Sequence, residues 1–237
     1  MAQAIQSIFF EIRDFIYPNN CAICNQFVEE SQNCICKRCF SKFEPTWLED
    51  WIDKLRFSDS IDEVYSAWYA TGFINDMVHN IKYHNQPKLG EELGRRMAEE
   101  IPIDELGKID IITAVPLNSV RNRERGYNQS EWICKGLAKS WNVPYQFNLI
   151  KRVKHTVTQT DLTAKERKQN MQDAFIMKES IDSLSVAIID DVITTGATLS
   201  AYANILKTNG AKKNNRSFLL YSFIWILNRR LCFVKND

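Results

Sequence analysis

The chain has 237 residues, of which 45% are hydrophobic and 25% charged, enough to bury the core of about one or two domains. Its formal net charge of +1 excludes a globally basic polyanion binder, so affinity for nucleic acid or an anionic surface must come from local patches.

Residues 1–18 place Ile5, Ile8, Phe9, Ile12, Phe15 and Ile16 at helical spacing, broken by Glu11, Arg13 and Asp14. The pattern predicts a short amphipathic helix packed on the protein body, not a secretory leader or a membrane anchor. Seven cysteines without a leader point to a reducing, cytoplasmic setting instead of a disulfide scaffold.

Cys21 and Cys24 form one Cys-x-x-Cys pair and Cys36 and Cys39 a second, with eleven residues between them. Two such pairs can close a tetrahedral thiolate site, for which Zn2+ is the expected ion. Four thiolates leave no open position, so the metal would be structural and would supply much of this segment's stability. Cys34 competes with Cys36 for the fourth place, although its spacing to Cys39 is poorer, and free structural thiols or a redox pair are the alternatives. Cys134 and Cys232 lie far away and read as core residues.

Downstream, Trp47, Trp51 and Leu55 mark one face of a helix over 44–57, read as core and not as a base-stacking surface. A strand follows over 64–72, then helices over 75–83 and 90–101, the second with an exposed Glu/Arg face. The segment His79 to His84 puts Lys82 and two histidines where they can reach a ligand, and a solvated turn explains them equally well. Strands over 109–115, 145–150 and 186–189 alternate with helices over 131–140 and 197–209. The alternation predicts an α/β fold with a largely parallel sheet flanked by helices. In such sheets ligands lie beyond the C-terminal strand ends, where both Pro116 and Asp190 fall. The boundary between the cysteine knuckle (1–45) and the main domain (46–237) is expected within residues 40–60.

Three segments carry chemistry. In the first, a buried strand runs into Asp190 and Asp191, then Thr194, Thr195, Gly196, Ala197 and Thr198, then a helix. Paired carboxylates can accept hydrogen bonds from vicinal ribose hydroxyls, and the loop offers N–H and hydroxyl donors to a phosphate. Gly196 permits close backbone approach. An Asp-capped turn is the plainer alternative. In the second, Pro116 and Leu117 precede Arg121, Arg123 and Arg125, then Gly126 and two amides. Arginine forks suit a pyrophosphate; a solvated basic loop is the alternative. The third, residues 151–170, has six basic residues against two acids and suits a mobile lid carrying Gln159, Arg167 and Asn170, or a simple surface excursion.

Together these segments resemble the ComF family of competence-associated, phosphoribosyltransferase-like proteins. The resemblance runs to about Lys213 and includes Phe15-Ile16-Tyr17-Pro18 before Cys21, Ile81-Lys82-Tyr83, the run Arg123 to Gln129, the lid pattern and Asp190 to Thr198. It implies a type I phosphoribosyltransferase-like fold, phosphoribosyl pyrophosphate (PRPP) binding with Mg2+, a structural zinc knuckle, and a role with incoming single-stranded DNA beside competence or recombination proteins. Asp190 and Asp191 would hold the ribose and assist any transfer. The alternative is an active phosphoribosyltransferase of nucleotide metabolism, but no acceptor base or acceptor pocket is readable.

One departure stands out. The family's core usually continues Gly-Ala-x-x-Val into a strand, whereas Gly210-Ala211-Lys212-Lys213 leads here to Asn214-Asn215-Arg216 and an apolar run. That run is too short to span a membrane and can still form the last strand. Residues 214–237 are read as an atypical tail from a shifted reading frame.

Overall fold

The computed structural model describes residues 19–28, 33–45, 61, 63–69, 77, 81–82, 86–117, 119–152, 175–178, 181–191, 197–211 and 218–224. The helix expected over 1–18, most of that over 44–57 and most of that over 75–83 lie outside them. So do the lid with Gln159, Arg167 and Asn170, the loop residues Thr194, Thr195 and Gly196, and the tail beyond 224.

Four strands form a parallel sheet: β1 (Glu63–Tyr69), β2 (Ile111–Ala114), β5 (Val186–Asp190) and β6 (Phe218–Ile224), in spatial order β1-β6-β5-β2. The remaining elements are α1 (Lys37–Phe40), α2 (Pro87–Glu100), α3 (Ile103–Leu106), α4 (Ser119–Arg125), α5 (Gln129–Trp141) and α6 (Ala197–Thr208). A separate antiparallel ribbon pairs β3 (Ile150–Arg152) with β4 (Phe175–Met177). The strand expected over 145–150 is mostly irregular; Tyr145 makes only an isolated parallel bridge to Ile112.

β2 and β5 are apolar on both faces because helices cover both sides. Ile112, Ala114, Ala187 and Ile189 join the core under α2 and α5, and the alternate residues Ile111, Val186 and Ile188 join the core under α6. The apolar run expected as a last strand is β6, and it occupies an internal place between β1 and β5. Its largely apolar sequence, broken only by Tyr221 and Ser222, suits that position, since an internal parallel strand has no solvent face.

α2 begins with Pro87, whose missing N–H costs nothing in a first turn. α5 is capped by Asn128, whose side chain accepts from the Ser130 N–H, and it ends on Asn142 in a left-handed conformation. The two helices touch backbone to backbone. A Cβ on Gly94 would fall 1.9 Å from the Ile133 carbonyl oxygen, and one on Gly136 would fall 1.9 Å from the Glu91 carbonyl oxygen. Only glycine allows this approach, which fixes α5 and the residues at its N-terminus against the sheet. Among the described residues no helix is long and apolar enough to cross a membrane.

Candidate functional site

The cysteine knuckle folds around its own sulfurs. The Sγ atoms of Cys21, Cys24, Cys36 and Cys39 all lie within 4.8 Å of one another. Cys24 and Cys36 Sγ are 3.7 Å apart, close to the edge of a tetrahedron with metal–sulfur bonds of about 2.3 Å. The Cys36 N–H donates to Cys21 Sγ at 3.3 Å. A hydrogen bond from the Gln26 backbone, together with the neighbouring thiols and against burial, lowers Cys24 to about 6, while burial raises Cys39. The donor set therefore fits one soft metal ion, held by all four cysteines with no open position. Cys34 is outside this group: its N–H donates to Glu92 Oε2.

That contact exposes a misreading of α2. Its Glu/Arg face, expected to be exposed, holds the knuckle: Glu92 is 3% and Arg96 is 9% exposed. Arg96 Nε donates to Glu92 Oε1 at 2.9 Å, and its guanidinium lies 4.0 Å over the Phe40 ring. Arg95 Nη2 donates to Asn33 Oδ1 at 2.6 Å. The acid is buried because the knuckle supplies a backbone donor and α2 supplies a cation.

On the far side of α5 lies the carboxylate pair. β5 delivers Asp190 at its C-terminal end and Asp191 just beyond, next to Pro116 and Leu117, since the Val115 N–H donates to the Ile189 carbonyl at 2.9 Å. Asp191 is 6% exposed, and Lys82 Nζ lies 2.6 Å from its Oδ2. Burial pushes Asp191 up, but the Lys82 charge and hydrogen bond, with further bonds from Gln129 and Asp190, hold its carboxyl below the ordinary range. Burial first, and the Asp191 charge second, push Asp190 well above that range. Lys82 thus favours the charged form of Asp191, and burial beside that charge favours the protonated form of Asp190.

α5 organises the surroundings. Asn128 Nδ2 donates to the Val115 carbonyl at 2.9 Å, tying the helix start to the end of β2. Ser130 Oγ donates to Asp190 Oδ1 at 3.5 Å. Gln129 bonds Asp191 and accepts from Arg125 Nη1 at 3.0 Å through Oε1, so an arginine is linked to the carboxylate through one amide.

The arginine segment, expected as a loop, is helical (α4). On a helix, residues two apart point in opposite directions and residues four apart share a face. Arg121 and Arg125 accordingly line a cavity of about 850 Å³ with Lys82, Pro87, Tyr127 and Trp132, and Arg123 is not among the lining residues. Gly126, at φ +75°, turns the chain from α4 into α5. Ala197 and Thr198 open α6 just after the undescribed loop. Ser130 was not singled out from the sequence, and Lys82 was marked only as within reach of a ligand.

The ion pair has a testable pH signature. Asp191's lowered value means that its contribution is fully present above the unfolded carboxylate value of about 3.9 and is lost as pH falls through the lower folded value. Lys82→Met is expected to cost about 2–4 kcal/mol at pH 6–7, at or below the range for fully buried pairs because Lys82 is partly exposed. The deficit should close below about pH 4. Urea denaturation of both proteins across pH 3–7 checks this; a pH-independent deficit would contradict it.

Comparison with known proteins places the chain. No family model matches it. Competence protein F of Haemophilus influenzae is 30% identical over 211 residues, covering 86% of this chain and 83% of that protein. DNA utilization protein YhgH of Salmonella typhi is 35% identical over 139 residues, 57% of this chain and 61% of the relative, so the chain spans about three-fifths of that protein's length. A solved hypoxanthine phosphoribosyltransferase from Staphylococcus aureus is 16% identical, with 62% of this chain and 68% of that one covered at a TM-score of 0.36. At 30% identity across more than four-fifths of both sequences, the match to Competence protein F establishes kinship: the chain belongs to the ComF family.

Proposed function

We propose that the protein binds PRPP in a type I phosphoribosyltransferase-like fold and serves DNA uptake or utilization in natural transformation, handling incoming single-stranded DNA. The observation that carries the reading is the carboxylate pair at the C-terminal end of β5, with Lys82 2.6 Å from Asp191, beside a cation-lined cavity. Asp191, held towards its charged form by Lys82, would accept strongly from a ribose hydroxyl, and Asp190, pushed towards its protonated form, would accept or donate. Thr194 to Thr198, at the start of α6, would take the 5′-phosphate. Arg125, with Pro116 and Leu117, would face the pyrophosphate, and the segment with Gln159, Arg167 and Asn170 would close over it. Mg2+ would be held largely through pyrophosphate oxygens and waters and would neutralise the diphosphate. The names of the relatives, competence and DNA utilization, support the biological setting. Partners would be single-stranded DNA and competence or recombination proteins, in the cytoplasm.

The knuckle would hold Zn2+ as a structural ion. Elemental analysis should find one zinc per chain, lost in Cys36→Ser and kept in Cys34→Ser; the reverse pattern would move the fourth ligand to Cys34.

Calorimetry with Mg2+ and PRPP tests the site itself. The native chain should bind PRPP, and Asp190→Asn/Asp191→Asn should weaken binding by about 30-fold or more, the loss expected from one hydrogen bond to a charged group and one to a neutral group. A folded, metal-loaded chain that fails to bind PRPP would sink the reading. Turnover, the alternative, would register as pyrophosphate release in the same mixtures.

A further inference from the structure

We propose that Glu92 on α2 is a positioning residue of the four-cysteine centre: by fixing the Cys34 backbone, it sets how tightly the knuckle holds its metal ion. The proposal rests on the metal reading of the knuckle and is independent of the phosphoribosyl reading.

The knuckle is built from two turns. Cys21 and Cys24 lie on the first, closed by the Asn25 N–H donating to the Cys21 carbonyl at 2.9 Å. Cys36 and Cys39 lie on the second, closed by the Cys39 N–H donating to the Cys36 carbonyl at 3.0 Å. The backbone of Asn33 and Cys34 joins them. The Cys34 carbonyl accepts from the Ala22 N–H at 2.7 Å, and the Asn33 carbonyl accepts from Asn19 Nδ2 at 3.0 Å. α2 grips the same two residues from the other side: the Cys34 N–H donates to Glu92 Oε2, and Arg95 Nη2 donates to Asn33 Oδ1 at 2.6 Å. The seam between the two ligand-bearing turns is therefore set by α2 as well as by the knuckle.

Glu92 is itself fixed. Its side chain is 1% exposed, and its second oxygen accepts from Arg96 Nε at 2.9 Å. The Arg96 guanidinium lies over Phe40, the residue after Cys39, so the same ion pair also touches the second turn. An apolar side chain could dock the knuckle without the cost of burying a charge; a buried, paired acid adds direction and specifies one register. α2 has little room to move, because Gly94 meets the α5 backbone. Groups that orient a metal's ligands from outside the coordination shell typically contribute about 10- to 100-fold in metal affinity.

The test is titration of the full chain, stripped of metal, with Co2+ read by its thiolate absorption, followed by displacement with Zn2+ against a competing chelator. Glu92→Ala should weaken both ions by about 10- to 100-fold. Arg95→Ala leaves the buried acid paired with Arg96 and guards against an alanine variant at position 92 that misfolds. It should weaken both ions by about 2- to 10-fold, the worth of one partly exposed hydrogen bond. Cys34→Ser keeps the backbone N–H and should bind as the native chain does. A role confined to stability would lower the urea midpoint of the stripped and loaded chains alike and leave metal affinity unchanged; that result would overturn the proposal. So would a loss in Cys34→Ser as large as that in Glu92→Ala, which would move the role to the thiol. A native chain that binds neither ion would overturn the metal reading of the knuckle and this proposal with it. Native binding indifferent to Glu92 and Arg95 would overturn this proposal alone.

Discussion

Two adjacent carboxylates at the end of a buried strand oppose each other's charge, and a neighbouring cation decides which of them stays ionised. Here that cation is Lys82, 2.6 Å from Asp191, and much of the site's arrangement follows from it. Lys82 holds Asp191 below the ordinary carboxylate range, while burial and the Asp191 charge push Asp190 above it. The Gln129 and Ser130 side chains complete the hydrogen bonding from the start of α5. The result is a polar cluster in which both carboxylates are oriented by the protein's own donors.

α5 keeps that position through α2, and the Gly94 and Gly136 contacts leave little room for either helix to shift. The same α2 carries Glu92 and Arg96, which hold the cysteine knuckle. The knuckle therefore docks on one helix of a tightly packed pair, α2, and the carboxylates meet the start of the other, α5. In this arrangement the knuckle shields a buried acid and extends the core with Ile35, Cys39 and Phe43.

The strands were legible where local chemistry decided them. Val186–Asp190 is an apolar run closed by acids and admits little but a buried parallel strand. The cysteine pairs were equally plain, because their spacing is set by metal geometry. What sequence reading missed depended on partners remote in the chain. Glu92 and Arg96 look like ordinary surface charges until the knuckle, some sixty residues earlier, lies over them. α4 has almost no apolar periodicity, so Ser119 to Arg125 read as a loop, and its alternate arginines seemed equivalent when the helix separates Arg123 from Arg121 and Arg125. The internal place of β6 was also hidden, since its second neighbour, β1, is distant in sequence. Lys82 stood in a motif, but its role as counter-ion to Asp191 required the fold.

The most direct measurement is a crystal structure of the chain with Mg2+ and PRPP. The account predicts ribose hydroxyls within hydrogen-bonding distance of Asp190 and Asp191, the 5′-phosphate at the start of α6, and Lys82 turned from Asp191 towards the diphosphate. PRPP bound elsewhere, with the Lys82–Asp191 pair intact, would contradict it.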